Sequence, residues 1–107
     1  MTYTDIINQY NDVRKTIDKA IKKNKRISSD TISKLYTLET KHSSFSDLKT
    51  VQYETDTLVY HIKFYNCTLV DYMNNGCLDL ISDNIKRLLS DIDFIISFIT
   101  MEEKYYD

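Results

Sequence analysis

Between residues 48 and 99 apolar side chains recur every three or four positions, and the one break in that rhythm holds the only glycine of the chain. Leu48, Val51, Thr55, Leu58, Ile62, Tyr65, Leu69 and Tyr72 form the first stripe; Leu78, Ile81, Ile85, Leu88, Ile92, Ile95 and Ile99 form the second. Spacing of three and four over more than three heptads predicts two long helices with narrow seams and a shallow crossing. Each helix is expected to run about 25–29 residues, roughly 40 Å at 1.5 Å per residue. Between them lie Asn74, Asn75 and Gly76. Gly just past a helix end accepts the left-handed backbone that terminates it, so this segment predicts the bend of an antiparallel hairpin.

The chain contains no proline, and sheets need Gly, Pro or Asn-Gly turns at regular intervals. Its 107 residues, 42% hydrophobic and 28% charged, suit one globular domain. A first helix is predicted over residues 3–25, where Tyr3, Ile6, Tyr10, Val13, Ile17 and Ala20 form a stripe widened by Ile7 and Ile21. Thr2 or Thr4 is placed to cap its start, with Asp5 set favourably against the dipole. Ser28 or Ser29 marks a second helix over 29–42, whose face is Ile32, Leu35 and Leu38 with Tyr36 beside them. Helices three and four are expected over 45–74 and 78–104. The fold expected is all-α: a three- to four-helix bundle built on a long antiparallel helical hairpin, residues 1–107 forming a single helical domain.

A second set of apolar residues lies off the two seams. Tyr53, Tyr60 and Phe64 project about opposite the seam of the third helix, and Phe94, Phe98, Met101 and Tyr105 lie away from that of the fourth. Folding at Gly76 brings Tyr53 and Phe98 to similar heights. The plainer expectation is that the first two helices cover this face. The alternative leaves part of it open to another chain, since Tyr, Phe and Met are enriched at protein interfaces. The functional expectation rests on that alternative: a non-enzymatic interaction protein that binds a protein partner or forms a homodimer through these seven residues.

Charge is divided unevenly. Residues 1–50 hold ten Lys or Arg against six Asp or Glu, whereas residues 51–107 hold four against ten. A basic first helix lying against an acidic hairpin accounts for the division, as does head-to-tail association between chains. The densest run, Lys19, Lys22, Lys23, Lys25 and Arg26, supports an alternative function in nucleic-acid binding. Against it, cations at a helix C-terminus offset the macrodipole, and the chain as a whole is acidic, with a formal charge of −2.

Catalytic and metal signatures are thin. Glu39 and His42 have the Glu-x-x-His spacing of half a di-iron site, but no second such pair exists. His61 and Cys67 are six apart, and a zinc site adding Cys77 needs an implausible bend. Asp91 and Asp93 splay to different helix faces and read as solvated. There is no Gly-x-Ser-x-Gly and no phosphate-cradling loop. No enzyme, cofactor, metal or small-molecule substrate is expected. Cys67 and Cys77 read as free thiols rather than a disulfide across the turn. The longest uncharged apolar segment, residues 94–101, is far shorter than the ~20 residues a membrane span requires. Together these features suggest a soluble, cytoplasmic protein. Abundant Asn, Ile, Lys and Tyr with scarce Ala suggest an AT-rich genome such as that of a virus, a phage or a low-GC bacterium.

Overall fold

The computed structural model describes residues 2–76 and 78–106 and is an all-α bundle of four helices, with no strand among the described residues. They are α1 (Tyr3–Lys22), α2 (Ser29–Ser43), α3 (Thr50–Asn75) and α4 (Leu78–Tyr106). Each helix packs on its two neighbours in a closed square, α1 on α2, α2 on α3, α3 on α4 and α4 on α1. The bundle measures 49 × 18 × 18 Å.

Local chemistry sets most helix ends. Thr2 caps α1 by accepting from Asp5 N–H at 3.2 Å, while the Asp5 carboxylate accepts from Thr2 N–H at 3.0 Å. That pairing holds the Asp5 carboxyl below its usual pKa, chiefly through the backbone bond. The helix stops at Lys22 rather than residue 25 because Asn24 turns left-handed, with φ of 53°. Lys25 N–H then reaches Ala20 O at 2.8 Å and Asn24 N–H reaches Ile21 O at 3.1 Å, the paired bonds of a Schellman end. Ser28 caps α2 through Thr31 N–H.

The start of α3 differs from expectation by several residues. The serines before it are engaged elsewhere: Ser43 and Ser44 donate to carbonyls of α2, and Ser46 accepts from Leu48 N–H. Residues 45–49 therefore form a loop, α3 begins without a side-chain cap, and Leu48 is exposed instead of continuing the seam. Leu78, at the start of α4, and Tyr36, on α2, are likewise exposed. At its other end α3 terminates as expected, with Gly76 at φ of 70° and its N–H on Tyr72 O at 2.8 Å.

The stripes meet in one core. Tyr3, Ile6, Tyr10, Val13 and Ile17 of α1 face Leu35 and Leu38 of α2 and the buried seams of α3 and α4. Burial raises the pKa of Tyr10, opposed more weakly by the neighbouring Thr55 hydroxyl. Ile27 fills the core from the α1–α2 loop, and Asn66 clamps that loop onto α3. Its side chain accepts from Ile27 N–H at 2.8 Å and donates to Ile27 O at 2.9 Å. Between α3 and α4, Asn84 donates to Thr68 at 2.9 Å inside the core.

A Cβ at Gly76 meets nothing within 4 Å, so substitution there strains the backbone alone. Gly76→Val is expected to cost more than about 1 kcal/mol, and Gly76→Asn clearly less, because Asn tolerates the left-handed region. Urea unfolding followed by circular dichroism checks this; equal costs for the two substitutions would contradict a turn governed by φ.

Candidate protein-interaction face

The outer face of the α3–α4 hairpin is organised around a polar link. His61 Nδ1 lies 2.5 Å from Asp91 Oδ2, both side chains mostly buried in the groove between the helices. Asp91 is thus packed against a histidine rather than solvated, and Asp93, two residues on, faces the opposite flank. There it accepts from Arg14 of α1 at 2.6 Å. Thr4 of α1 also donates to Glu103 of α4 at 2.7 Å, so the more basic N-terminal half does meet the acidic hairpin. These bonds place α1 on one flank of α4. Asn66 holds the α1–α2 loop, and with it the start of α2, on the far flank of α3.

That arrangement leaves the His61–Asp91 side without a covering helix, and the off-seam aromatics lie there. Phe94 and Phe98 are three and seven residues beyond Asp91, and Met101 and Tyr105 continue the same row. Tyr60 and Phe64 flank His61, and Tyr53 lies two turns before Tyr60. The expectation that α1 and α2 would cover this face is not met, because each helix of a square bundle reaches only its two neighbours. Tyr53 is 70% exposed, Tyr60 64%, Met101 56% and Tyr105 79%; Phe64 and Phe94 are a little under half exposed. Phe98 is partly buried and packs against the core.

The rings are ordered along each helix. Tyr60 and Phe64 stack with centroids 6.2 Å apart, Phe94 and Phe98 at 6.3 Å, and Tyr60 meets the His61 ring edge-on at 5.6 Å. Register across the hairpin follows from the two polar links, His61 with Asp91 and Thr68 with Asn84. Tyr53, eight residues before His61, is therefore level with Ile99, eight after Asp91, and next to Phe98. Glu54 borders the row, its pKa raised by desolvation and secondarily by Asp91. Arg87, one turn before Asp91, borders the other end.

The basic run lies toward the Gly76 end of the bundle, where the Tyr65 hydroxyl donates to Lys25 O at 3.0 Å. Lys19 and Lys22 close α1, and Lys23, Lys25 and Arg26 occupy the following loop, all exposed. Lys22 pairs with Asp18 at 3.0 Å, one turn away.

Sequence reasoning missed the role of His42. Buried at the C-terminal end of α2, it reaches across the bundle to Glu102 of α4, with Nε2 2.5 Å from Oε1. Glu39 takes no part in that bond. The partners are 60 residues apart in sequence, and the only visible signal was a histidine at the core position one turn after Leu38. Among the described residues no group of three or more His, Cys, Asp or Glu is placed to hold a metal ion. Cys67 is free and exposed, and Cys77, named for a disulfide or zinc site, lies outside the described residues. No described helix is long and apolar enough to cross a membrane.

Breaking the buried pair from one side strands a polar group. His42→Ala is expected to destabilise the bundle by about 3–5 kcal/mol, and His42→Leu with Glu102→Leu to recover most of that loss. Chemical denaturation of the three proteins checks it; a single variant within about 1 kcal/mol of the parent would contradict the pairing. Comparisons of the chain with family models, with curated proteins and with solved structures return no match.

Proposed function

We propose that the protein is a non-enzymatic helical interaction module whose outer α3–α4 face docks on a second copy of itself. The observation that carries this reading is the exposure of Tyr53, Tyr60, Phe64, Phe94 and Met101 along one uncovered face. Monomeric proteins rarely expose contiguous apolar patches of this kind. Rings offering on the order of 100–200 Å² each approach the ~800 Å² per partner that a stable interface buries.

Charge at the borders of the face selects the occupant. Arg87 lies one turn from the His61–Asp91 link toward Gly76, about 6 Å along the axis, and Glu54 lies about 10 Å the other way. A two-fold axis crossing the face near the link sets each Arg87 against Glu54 of the other copy. Two-fold, isologous contact is the commonest oligomer symmetry. The same face on a different protein is the neighbouring form of the reading. A free, exposed Cys67 suits the reducing cytoplasm, and the Ala-poor, Asn- and Lys-rich composition suits a virus or phage regulatory protein.

Sedimentation equilibrium tests the self-docking. The mass is expected to rise toward twice that of one chain with concentration. Tyr60→Asp or Phe94→Asp, both at exposed positions, is expected to weaken association at least tenfold while leaving the helical spectrum unchanged. Arg87→Glu should weaken it, and Arg87→Glu combined with Glu54→Arg should restore it. A monomer at every concentration, or association indifferent to both aspartate variants, would overturn the reading.

A second reading, nucleic-acid binding by the basic run, has one observation in its favour. Lys19, Lys23, Lys25 and Arg26 are exposed at one end with no ion pair among the described residues. It requires salt-sensitive retention of DNA or RNA that is lost in Lys22→Glu with Lys23→Glu. No retention at low salt would dispose of it.

A further inference from the structure

The end of the bundle where α1 begins and α2 stops holds a cavity of about 270 Å³, lined by Tyr3, residues 45–48 and Glu102. Glu102 is 4% exposed. One of its oxygens faces His42, and the other, Oε2, is buried with no hydrogen-bond partner. A carboxylate oxygen kept from water without a donor is costly, and native proteins rarely leave one so. Among the described residues nothing supplies the missing donor, and Glu102 lines a space large enough to admit one from outside.

The lining restricts what that donor is. The rings of Tyr3 and Phe45, with centroids 5.2 Å apart and planes 37° from parallel, form one wall. Ring faces attract cations. Asp47 adds a second carboxylate, and Ser46 presents a hydroxyl oxygen that accepts from Leu48 N–H. No Lys or Arg is among the described residues that line the cavity. An anion would meet two carboxylates and, among the described lining residues, no Lys or Arg. A metal ion would need more ligands than two carboxylates supply, and no group of three or more candidate ligands exists among the described residues. Apolar surface from Leu48 and the two rings suits a short alkyl chain.

We infer that this cavity binds a small organic cation of the primary alkylammonium class. Its N–H donates to the free oxygen of Glu102, and its alkyl chain lies against Tyr3, Phe45 and Leu48. His42 acts as a positioning residue by holding the other carboxylate oxygen. The site is separate from the α3–α4 face, so its fate does not depend on self-association.

The test is an NMR titration of the full chain with n-propylammonium chloride, alongside n-propanol, propionate and potassium chloride. Saturable shifts of the Phe45 and His42 ring resonances are expected with propylammonium alone. Asp47→Asn and Phe45→Ala, both at exposed loop positions, should each weaken binding at least threefold. Glu102→Gln should abolish saturation; if that variant fails to fold, the two loop variants decide the matter. Equal shifts with propanol would reduce the site to an apolar hollow and overturn the inference. So would the absence of saturable shifts, or affinity unchanged in both loop variants.

Discussion

A 3.5-residue repeat gives a helix one apolar stripe, and a stripe must face another stripe to leave water. Two such helices folded back on each other cover only part of what they expose, because their seams converge on a line rather than a volume. α1 and α2 bring two more stripes and turn that line into a core. The square that results has a geometric consequence for everything outside it. Each helix has two flanks and two neighbours, so no element remains to cover the outward side of α3 and α4. The aromatic row there is left bare by the closure of the core itself.

Polar contacts then decide which square forms. Packing of generic stripes tolerates rotation and sliding, but Asn66 on the Ile27 backbone, Asn84 on Thr68 and Arg14 on Asp93 each demand one register. His42 and Glu102 do the same along a diagonal, joining two helices that are not neighbours. A buried polar pair of this kind adds less to stability than apolar packing of equal volume, and its contribution is to exclude alternatives. The bundle is held by its stripes and specified by these few bonds.

The stripes and the hinge were legible because they are local: periodicity along one helix and a glycine at its end need no knowledge of the partner. The boundary of α1 was misplaced by three residues because Asn24 adopts a conformation more often reserved for glycine. The start of α3 was misplaced because serine hydroxyls can serve the helix behind them as readily as the one ahead, and here they do. At the candidate face the residues themselves were legible, but their exposure was not. Exposure depends on which flanks α1 and α2 occupy, and that is settled by pairs separated by 39 and 79 residues. Asp91 looked solvated for the same reason, since its histidine lies 30 residues away. The pairing of His42 with Glu102 was hidden likewise.

Gly76 closes the hairpin with open space on the side where a Cβ would stand. At Gly76 the link between α3 and α4 therefore acts as a tether with room beside it. The entropy of closing a flexible loop rises only with the logarithm of its length. Extra residues threaded in at this point would lengthen the tether while leaving the seams to find each other as before. The hairpin tip is thus the part of the molecule most open to elaboration, a place where an added peptide could be displayed without disturbing the four helices below it.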